Sequence, residues 1–279
     1  MLRLGREARR IYANRPLASG HPDIAERELP VKTEGCSGDV DEAIDDVLSC
    51  VCRAVDAHAG GQRAAVIGCG PLPGSVRLLG EHGWTCVGVE PVEAFVLNAR
   101  DYLGKPQAVL QGSAEDLPLE DESQDLLIME SVLEHVDSPL FALNEAYRVL
   151  TPGGLLYVCT TNRWAVTNGE YTVRFFQWLP KLVKESYIHQ HLHFAPELAR
   201  YTSRPAVHWF SYADLCGLGR NAGFYRFYSK VDLMSGSDTA IRRSRIRACA
   251  LDRVRYNPWL RSLVLTQKGG NIFMLKRPA

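Results

Sequence analysis

The fold is decided by the stretch Ala64-Ala65-Val66-Ile67-Gly68-Cys69-Gly70-Pro71-Leu72-Pro73-Gly74. Its apolar start predicts a short buried strand, and the glycine-rich turn leads into a helix predicted over Gly74–Glu81. Because glycine has no Cβ, such a turn bends sharply and lets a ligand approach the backbone. The amino end of the next helix directs its amide groups at the same point. A Gly-x-Gly turn alone is also common in tight turns that bind nothing, so the flanking sequence has to decide.

Strands and helices alternate on the carboxyl side of this turn. The other predicted strands are Thr85–Glu90, Ala108–Gln111, Asp125–Glu130, Leu155–Thr160, Phe224–Val231 and Asn271–Lys276. The other predicted helices are Asp39–His58, Val92–Tyr102, Pro139–Leu150, Ser211–Asn221 and Thr239–Arg255. Strands joined by helices of this length form a mostly parallel sheet covered on both faces. The predicted fold class is therefore α/β, doubly wound and Rossmann-like.

Composition is that of an ordinary globular protein. Of 279 residues, 46% are hydrophobic and 23% are charged, which excludes a disordered chain or a fibre. No apolar run reaches the ~20 residues that a membrane helix needs, and the basic amino-terminal segment lacks the apolar core of a signal peptide. We therefore expect no stable membrane insertion. Eight dispersed cysteines without a C-x-x-C pair predict reduced thiols and a cytoplasmic location.

The net charge of zero results from two segments of opposite sign. Acidic residues dominate between Glu115 and Glu145, and basic residues dominate from Ala240 to the end of the chain. Solvated helix faces would explain both segments, whereas an anion-binding surface would explain the basic one. The charge pattern therefore leaves a phosphorylated or lipid-linked ligand open.

Glu90 ends the second predicted strand, 20 residues after Gly70. A carboxylate at this position accepts hydrogen bonds from both hydroxyl groups of a ribose. Glutamate at a strand end is common elsewhere, but its spacing from the glycine turn favours a nucleoside-binding site.

Three further motifs complete an ordered set. They are Gly112-Ser113-Ala114-Glu115-Asp116-Leu117-Pro118, Leu133-Glu134-His135-Val136 and Leu150-Thr151-Pro152-Gly153-Gly154. With these motifs, residues 63–161 resemble the class I S-adenosylmethionine-dependent methyltransferases. Within that family they look most like the small-molecule branch, which includes ubiquinone-biosynthesis and related O- and C-methyltransferases. The ordered set is specific, although no single motif is.

The resemblance implies a seven-stranded sheet with its last strand antiparallel, and S-adenosylmethionine as the cofactor. It also implies that Glu90 binds the ribose. The other implied cofactor contacts are Gly68, Gly70 and Gly74 on the methionine part, Ser113, Ala114 and Glu115 beside the adenine, and Glu130 and Ser131 near the reacting group.

The chain also departs from the family pattern. Val66 stands where an acid usually precedes the first glycine, Pro71 and Pro73 flank Leu72 in a lengthened turn, and Ser113 replaces an aspartate that often meets the adenine. We still favour a working site. These departures keep a second interpretation open, in which the protein binds the cofactor but is an inactive partner.

His135 is the predicted catalytic residue, because an unactivated hydroxyl needs a proton acceptor and histidine is the usual one. A structural role in the turn Glu134–Asp137 explains His135 equally well. His189, His191 and His193 alternate further along the chain and could belong to a substrate pocket or to an ordinary surface. A metal site there is disfavoured, because no matching Asp or Cys cluster accompanies them.

The predicted organisation has four parts. Residues 1–38 form an extended arm, 39–161 the cofactor-binding core, 162–210 a substrate lid, and 211–279 the rest of the sheet with a basic helix. The lid is loosely similar to uncharacterised methyltransferases of surface-polysaccharide and glycolipid pathways. Three of its tryptophans could stack on an acceptor or form the core of the lid: Trp164, Trp178 and Trp209.

Two other enzyme classes share part of the pattern. In an NAD(P)-dependent oxidoreductase the Gly-x-Gly-x-x-Gly fingerprint would place the third glycine one residue earlier than Gly74. A nucleic-acid methyltransferase would explain the basic helix, but Glu130-Ser131 stands where an N-P-P-aromatic motif is expected, so nucleic acid is disfavoured. The sequence thus predicts methyl transfer, as O-methylation, to a small-molecule or a glycan- or lipid-linked acceptor.

Overall fold

The structure, a computed structural model, describes residues 63–166, 174–180, 182–184, 186–187, 206–234, 245–268 and 270–279. The arm predicted over residues 1–38, the helix predicted over Asp39–His58 and the three alternating histidines lie outside the described residues.

Seven strands form one sheet. They are β1 Arg63–Ile67, β2 Thr85–Glu90, β3 Val109–Gln111, β4 Gln124–Glu130, β5 Leu150–Cys159, β6 Arg226–Ser229 and β7 Asn271–Leu275. Their order across the sheet is β3-β2-β1-β4-β5-β7-β6, and only β7 runs antiparallel to its neighbours. The α/β class, the seven strands and the antiparallel last strand are confirmed.

Helices cover both faces of this sheet. They are α1 Gly74–Glu81, α2 Glu93–Leu103, α3 Pro139–Val149, α4 Tyr212–Asn221, α5 Lys230–Leu233, α6 Arg245–Tyr256 and α7 Pro258–Lys268. Predicted and observed bounds agree for α1 and β2, and Ser211 caps α4 in a capping box with Asp214.

Three predicted elements differ from the structure by more than a residue at one end. The strand predicted over Leu155–Thr160 is β5, which begins five residues earlier, at Leu150. The strand predicted over Phe224–Val231 ends at Ser229, because Ser229 and Asp232 form a capping box that begins α5. The helix predicted over Thr239–Arg255 is described from Arg245 and is followed by α7, which was not predicted. Asn257 accepts hydrogen bonds from the first amide groups of α7, so a new helix begins immediately after α6.

Alternate residues of β1 supply the two halves of the core. Ala65 and Ile67 pack in the cluster that includes Leu143 of α3, whereas Ala64 and Val66 pack in the cluster that includes Leu79 of α1. The chain that leaves β1 therefore goes to one face of the sheet, and the chain that leaves β4 goes to the other. When the connections that follow two neighbouring parallel strands go to opposite faces of the sheet, a crevice forms at the carboxyl ends of these strands. Ligands bind in this crevice in folds of this class.

Within the described part of the chain, no helix is both long enough and apolar enough to cross a bilayer.

Candidate active site

The glycine turn after β1 depends on two residues in the left-handed region. Gly68 has φ +66° and Gly70 has φ +68°. A Cβ on Gly68 would lie 2.7 Å from Cγ2 of Val132, so this residue is required by close packing as well as by its backbone. A Cβ on Gly70 or on Gly74 would have no atom of the described residues within 4 Å, apart from its immediate chain neighbours. Both of these glycines therefore border open space in the crevice.

Glu90 joins the end of β2 to this turn. Its Oε2 accepts a hydrogen bond from the Gly70 amide at 3.0 Å, and its Oε1 accepts one from the Val92 amide at 3.2 Å. The residue is only 5% exposed. Burial raises the pKa of the Glu90 carboxyl, and the two amide hydrogen bonds oppose that rise. Because each carboxylate oxygen has two lone-pair positions, each retains one acceptor position after these bonds.

Cys69 lies behind the turn and closes it against β2. A Cβ on Gly88 would come within 2.7 Å of the Cys69 sulfur, so Gly88 makes room for the thiol. Burial, together with the negative charge of Glu90, raises the pKa of Cys69 to about 12. The thiol therefore stays protonated at neutral pH and serves as packing rather than as a nucleophile. This contact of Gly88 with the thiol was not predicted, because a single glycine inside a strand forms no recognisable sequence motif.

The segment after β3 is folded tightly against β2. The amide of Gly112 donates to the Glu90 carbonyl, and Ala114 is buried in the core. Oε1 of Glu115 accepts a hydrogen bond of 2.6 Å from the amide of Ser138, the N-cap of α3. The Glu115 carboxylate thus stabilises the start of α3. Ser113 and Asp116 form a backbone bridge across the turn, in which the Asp116 amide donates to the Ser113 carbonyl at 3.3 Å.

Glu130 and Ser131 lie at the end of β4, on the other side of the glycine turn. Oγ of Ser75, at the start of α1, lies 3.5 Å from Oε2 of Glu130. Partial burial raises the pKa of Glu130, while Ser75 and the positive charge of Lys230 oppose the rise. Ser131 has φ +54°, a conformation that costs a non-glycine residue about 1–3 kcal/mol and that is concentrated at functional sites. Neither Ser75 nor Lys230 was predicted.

His135 lies in the loop between β4 and α3, where its amide donates to the Val132 carbonyl at 3.0 Å. Its Nδ1 atom is buried. The neighbouring Glu134 is 1% exposed and accepts a 2.5 Å hydrogen bond from the Thr160 hydroxyl. The loop that carries His135 is therefore anchored to the end of β5.

The predicted lid contributes to the same anchor. The amide of Val207 donates to the Glu134 carbonyl at 2.7 Å, and the buried ring of His208 pairs through Nε2 with the Val136 carbonyl at 2.9 Å. Trp209 is 2% exposed and packs on Phe176, so it belongs to the core of this segment.

The two other predicted tryptophans remain at the surface. Trp164 is 46% exposed and Trp178 is 52% exposed. The indole nitrogen of Trp178 donates to the Arg163 carbonyl, which fixes that ring in place. Trp164 instead lines a cavity.

This cavity has a volume of about 630 Å³ and lies beyond the carboxyl ends of β5 and β6. It is lined by Trp164, Ser211, Tyr212, Ala213, Asp232, Arg255, Tyr256, Pro258, Arg261, Ser262 and Leu265. Its volume is in the range of pockets that hold small organic ligands. The short helix α5 borders both the cavity and the crevice, since Asp232 lines the cavity and the charge of Lys230 acts on Glu130.

Comparison with known proteins identifies the central region. Residues 66–158 match the family model of the methyltransferase domain. A ubiquinone biosynthesis O-methyltransferase of Azorhizobium caulinodans is 32% identical over 130 residues, which are 43% of this chain and 50% of the relative. A candidate phthiotriol/phenolphthiotriol dimycocerosates methyltransferase 2 of Mycobacterium ulcerans is 36% identical over 105 residues, which are 36% of this chain and 40% of the relative. The chain thus spans half or less of the length of these curated relatives.

A solved structure extends the likeness beyond the central region. The structure of a candidate sarcosine dimethylglycine methyltransferase from Galdieria sulphuraria matches 97% of this chain and 98% of its own, with a TM-score of 0.51 and 16% identity. At this identity the match shows a common fold and nothing more.

Proposed function

Residues 66–158 form a class I S-adenosylmethionine-dependent methyltransferase domain, and from this premise we propose that the protein methylates a hydroxyl group of a small-molecule acceptor. The observation that carries the proposal is the buried carboxylate of Glu90, bonded to the Gly70 amide at the carboxyl edge of the sheet. The acceptor is a free small molecule or one linked to a glycan or a lipid.

The crevice has the groups that this cofactor requires. The open space at Gly70 and Gly74 suits the methionine part, since a side chain at either glycine would fill it. The two remaining acceptor positions of Glu90 suit the two ribose hydroxyls. Ser113 and Ala114 would offer backbone groups to the adenine, while Glu130 and Ser131 border the far end. When bound, S-adenosylmethionine supplies an electrophilic methyl group on a sulfonium.

Catalysis by this chain consists mainly of alignment and proton removal. An in-line displacement is accelerated by holding the acceptor oxygen in the attack direction. His135, in the loop after β4, accepts the hydroxyl proton.

The 630 Å³ cavity is the proposed acceptor site. It offers the ring of Trp164 for stacking, together with hydroxyl and guanidinium groups for polar contacts. Arg261 is held by Asp232 in a two-pronged ion pair, with N···O distances of 3.1 and 2.8 Å, so its position is fixed before an acceptor arrives.

A cofactor-binding protein without activity is the second candidate. It is favoured by Val66, which is buried against the hydrophobic cluster of α1 and brings no charge to the glycine turn. The two candidates differ in turnover and not in cofactor binding.

Two measurements test the proposal. Calorimetry of the full chain with S-adenosylmethionine should show binding in the micromolar range, and no binding to the wild type would refute both candidates. Incubation with methyl-labelled cofactor and fractionated cell extracts should then transfer label to a lipid, glycan or small-metabolite fraction. Binding without transfer to any fraction would favour the inactive partner, and preferential binding of NADH would favour an oxidoreductase.

A further inference from the structure

Helix α7 carries apolar side chains on its outer face. Trp259 is 85% exposed, Leu263 is 65% exposed and Leu260 is 40% exposed, and Tyr256 at the end of α6 is 81% exposed. Trp259 and Leu263 are four residues apart, and Leu260 lies beside them on a helix of 3.6 residues per turn. We call these four side chains the hairpin face. A surface helix of a water-soluble domain usually presents the opposite pattern, with polar residues outward.

Contacts on the inner side fix this orientation. Val264 packs with Leu251 and Val231 in a small buried cluster, and Arg261 is held by Asp232 of α5. A guanidinium nitrogen of Arg255 donates to the Val231 carbonyl at 3.2 Å. Because α7 is attached to α5 and α6 through these residues, it cannot rotate its outer face inward without breaking these contacts.

The α6–α7 hairpin is basic in sequence. Residues 245–268 contain six basic residues and one acidic residue, Asp252, and two of the six, Arg255 and Arg261, are held on the inner side. Arg253 is exposed on α6, three residues before Tyr256. Tryptophan and tyrosine next to arginine on an amphipathic helix are typical of segments that lie in the interface of an anionic bilayer.

We propose that the α6–α7 hairpin docks the protein onto the surface of membranes that contain anionic lipids. Trp259, Leu260 and Leu263 enter the boundary between headgroups and acyl chains, and Arg253 pairs with lipid phosphates. The hairpin lies on the surface and does not cross the bilayer, since α7 has 11 residues and α6 has 12. This proposal goes beyond the proposed reaction and does not depend on methyl transfer.

Vesicle sedimentation of the full chain provides the test. We expect binding to phosphatidylcholine vesicles that contain phosphatidylglycerol, weaker binding at high salt, and little binding to pure phosphatidylcholine. The double substitution Trp259→Ser/Leu263→Ser should lower the partition coefficient by about tenfold or more. Arg253→Glu should lower it by a similar factor on anionic vesicles only.

A matched control separates the hairpin face from general loss of surface hydrophobicity. Leu97→Ser/Phe141→Ser removes two side chains of comparable exposure, 58% and 62%, from α2 and α3. This variant should bind vesicles like the wild type. Brominated lipid should quench wild-type fluorescence more than that of Trp259→Phe, because Trp259 then contacts the acyl chains directly.

Three outcomes would overturn the proposal. The first is a wild type that does not bind anionic vesicles while it still binds S-adenosylmethionine. The second is equal loss of vesicle binding in the control and the hairpin variants. The third is a wild-type dimer that Trp259→Ser/Leu263→Ser converts to a monomer in analytical ultracentrifugation, because the hairpin face would then be an interface between two copies of the chain.

Discussion

Replacement of Glu90 by glutamine preserves the size of the side chain and removes its charge. The native carboxylate accepts amide hydrogen bonds from Gly70 and Val92, one on each oxygen. A glutamine has one accepting oxygen, so its NH₂ group would face one of those amide donors. The proposed ribose contact would also lose one charged acceptor. Hydrogen bonds to charged groups contribute about 1.5–3 kcal/mol, so the affinity for S-adenosylmethionine should fall by roughly 10- to 150-fold.

Isothermal calorimetry with S-adenosylmethionine measures this effect, and Glu93→Gln is the matched control. Glu93 is exposed in the first turn of α2, three residues after Glu90. The Glu93→Gln protein should retain wild-type affinity for S-adenosylmethionine. Thermal denaturation of both variants shows whether Glu90→Gln remains folded. A folded Glu90→Gln protein with wild-type affinity would refute the assignment of Glu90 to the ribose.

The pH dependence of binding gives an independent check on the same carboxyl group. Burial raises the pKa of Glu90 above its ordinary value of about 4.3, and only the ionised form accepts from two hydroxyl groups. Cofactor affinity should therefore decline as pH falls through the raised pKa, at a higher pH than for an ordinary glutamate. In Glu90→Gln this decline should be absent. An identical pH profile in the two proteins would contradict the ribose assignment.

Four further substitutions test three separate parts of the site. Gly68→Ala should lower the free energy of unfolding, measured by urea denaturation, by about 1–3 kcal/mol, because the φ of Gly68 is +66° and the new Cβ would meet Val132. Gly70→Ala should lower the free energy of unfolding by less, because the space around Gly70 is open. His135→Ala should lower turnover by roughly 10²- to 10⁴-fold with unchanged calorimetric affinity for S-adenosylmethionine, and unchanged turnover would assign His135 to the structure of its loop. Glu115→Ala should reduce stability by about 1 kcal/mol, because the amide of Ser138 loses its acceptor at the start of α3, and an unchanged melting temperature would contradict that role.

Local patterns predicted the central half of the fold well. The turn from β1 into α1 and the whole of β2 were predicted because apolar runs and glycines act within a few residues of each other. The capping box of α5 has the same Ser-x-x-Asp spacing as the capping box at Ser211, so Ser229 and Asp232 carried a usable signal. Helix α7 was missed because it has apolar residues on its outer face as well as on its inner face, and so lacks the one-sided pattern of a helix on a core.

Contacts between distant segments could not be predicted in the same way. The hydrogen bond from the Ser138 amide to the Glu115 carboxylate joins residues 23 positions apart. Glu115, which was predicted only as a cofactor contact, therefore also caps the start of α3. Lys230 comes near Glu130 only because β6 lies across the sheet and ends at the same edge. Such contacts depend on the order of the strands in the sheet, which local sequence patterns do not reveal.

The short helix α5 connects the three proposed parts of the protein. Lys230 opposes the rise in the pKa of Glu130 in the crevice, and Asp232 lines the cavity and holds Arg261 of the hairpin. Arg261, Asp232 and Lys230 therefore link the hairpin, the cavity and the crevice through a single turn of helix.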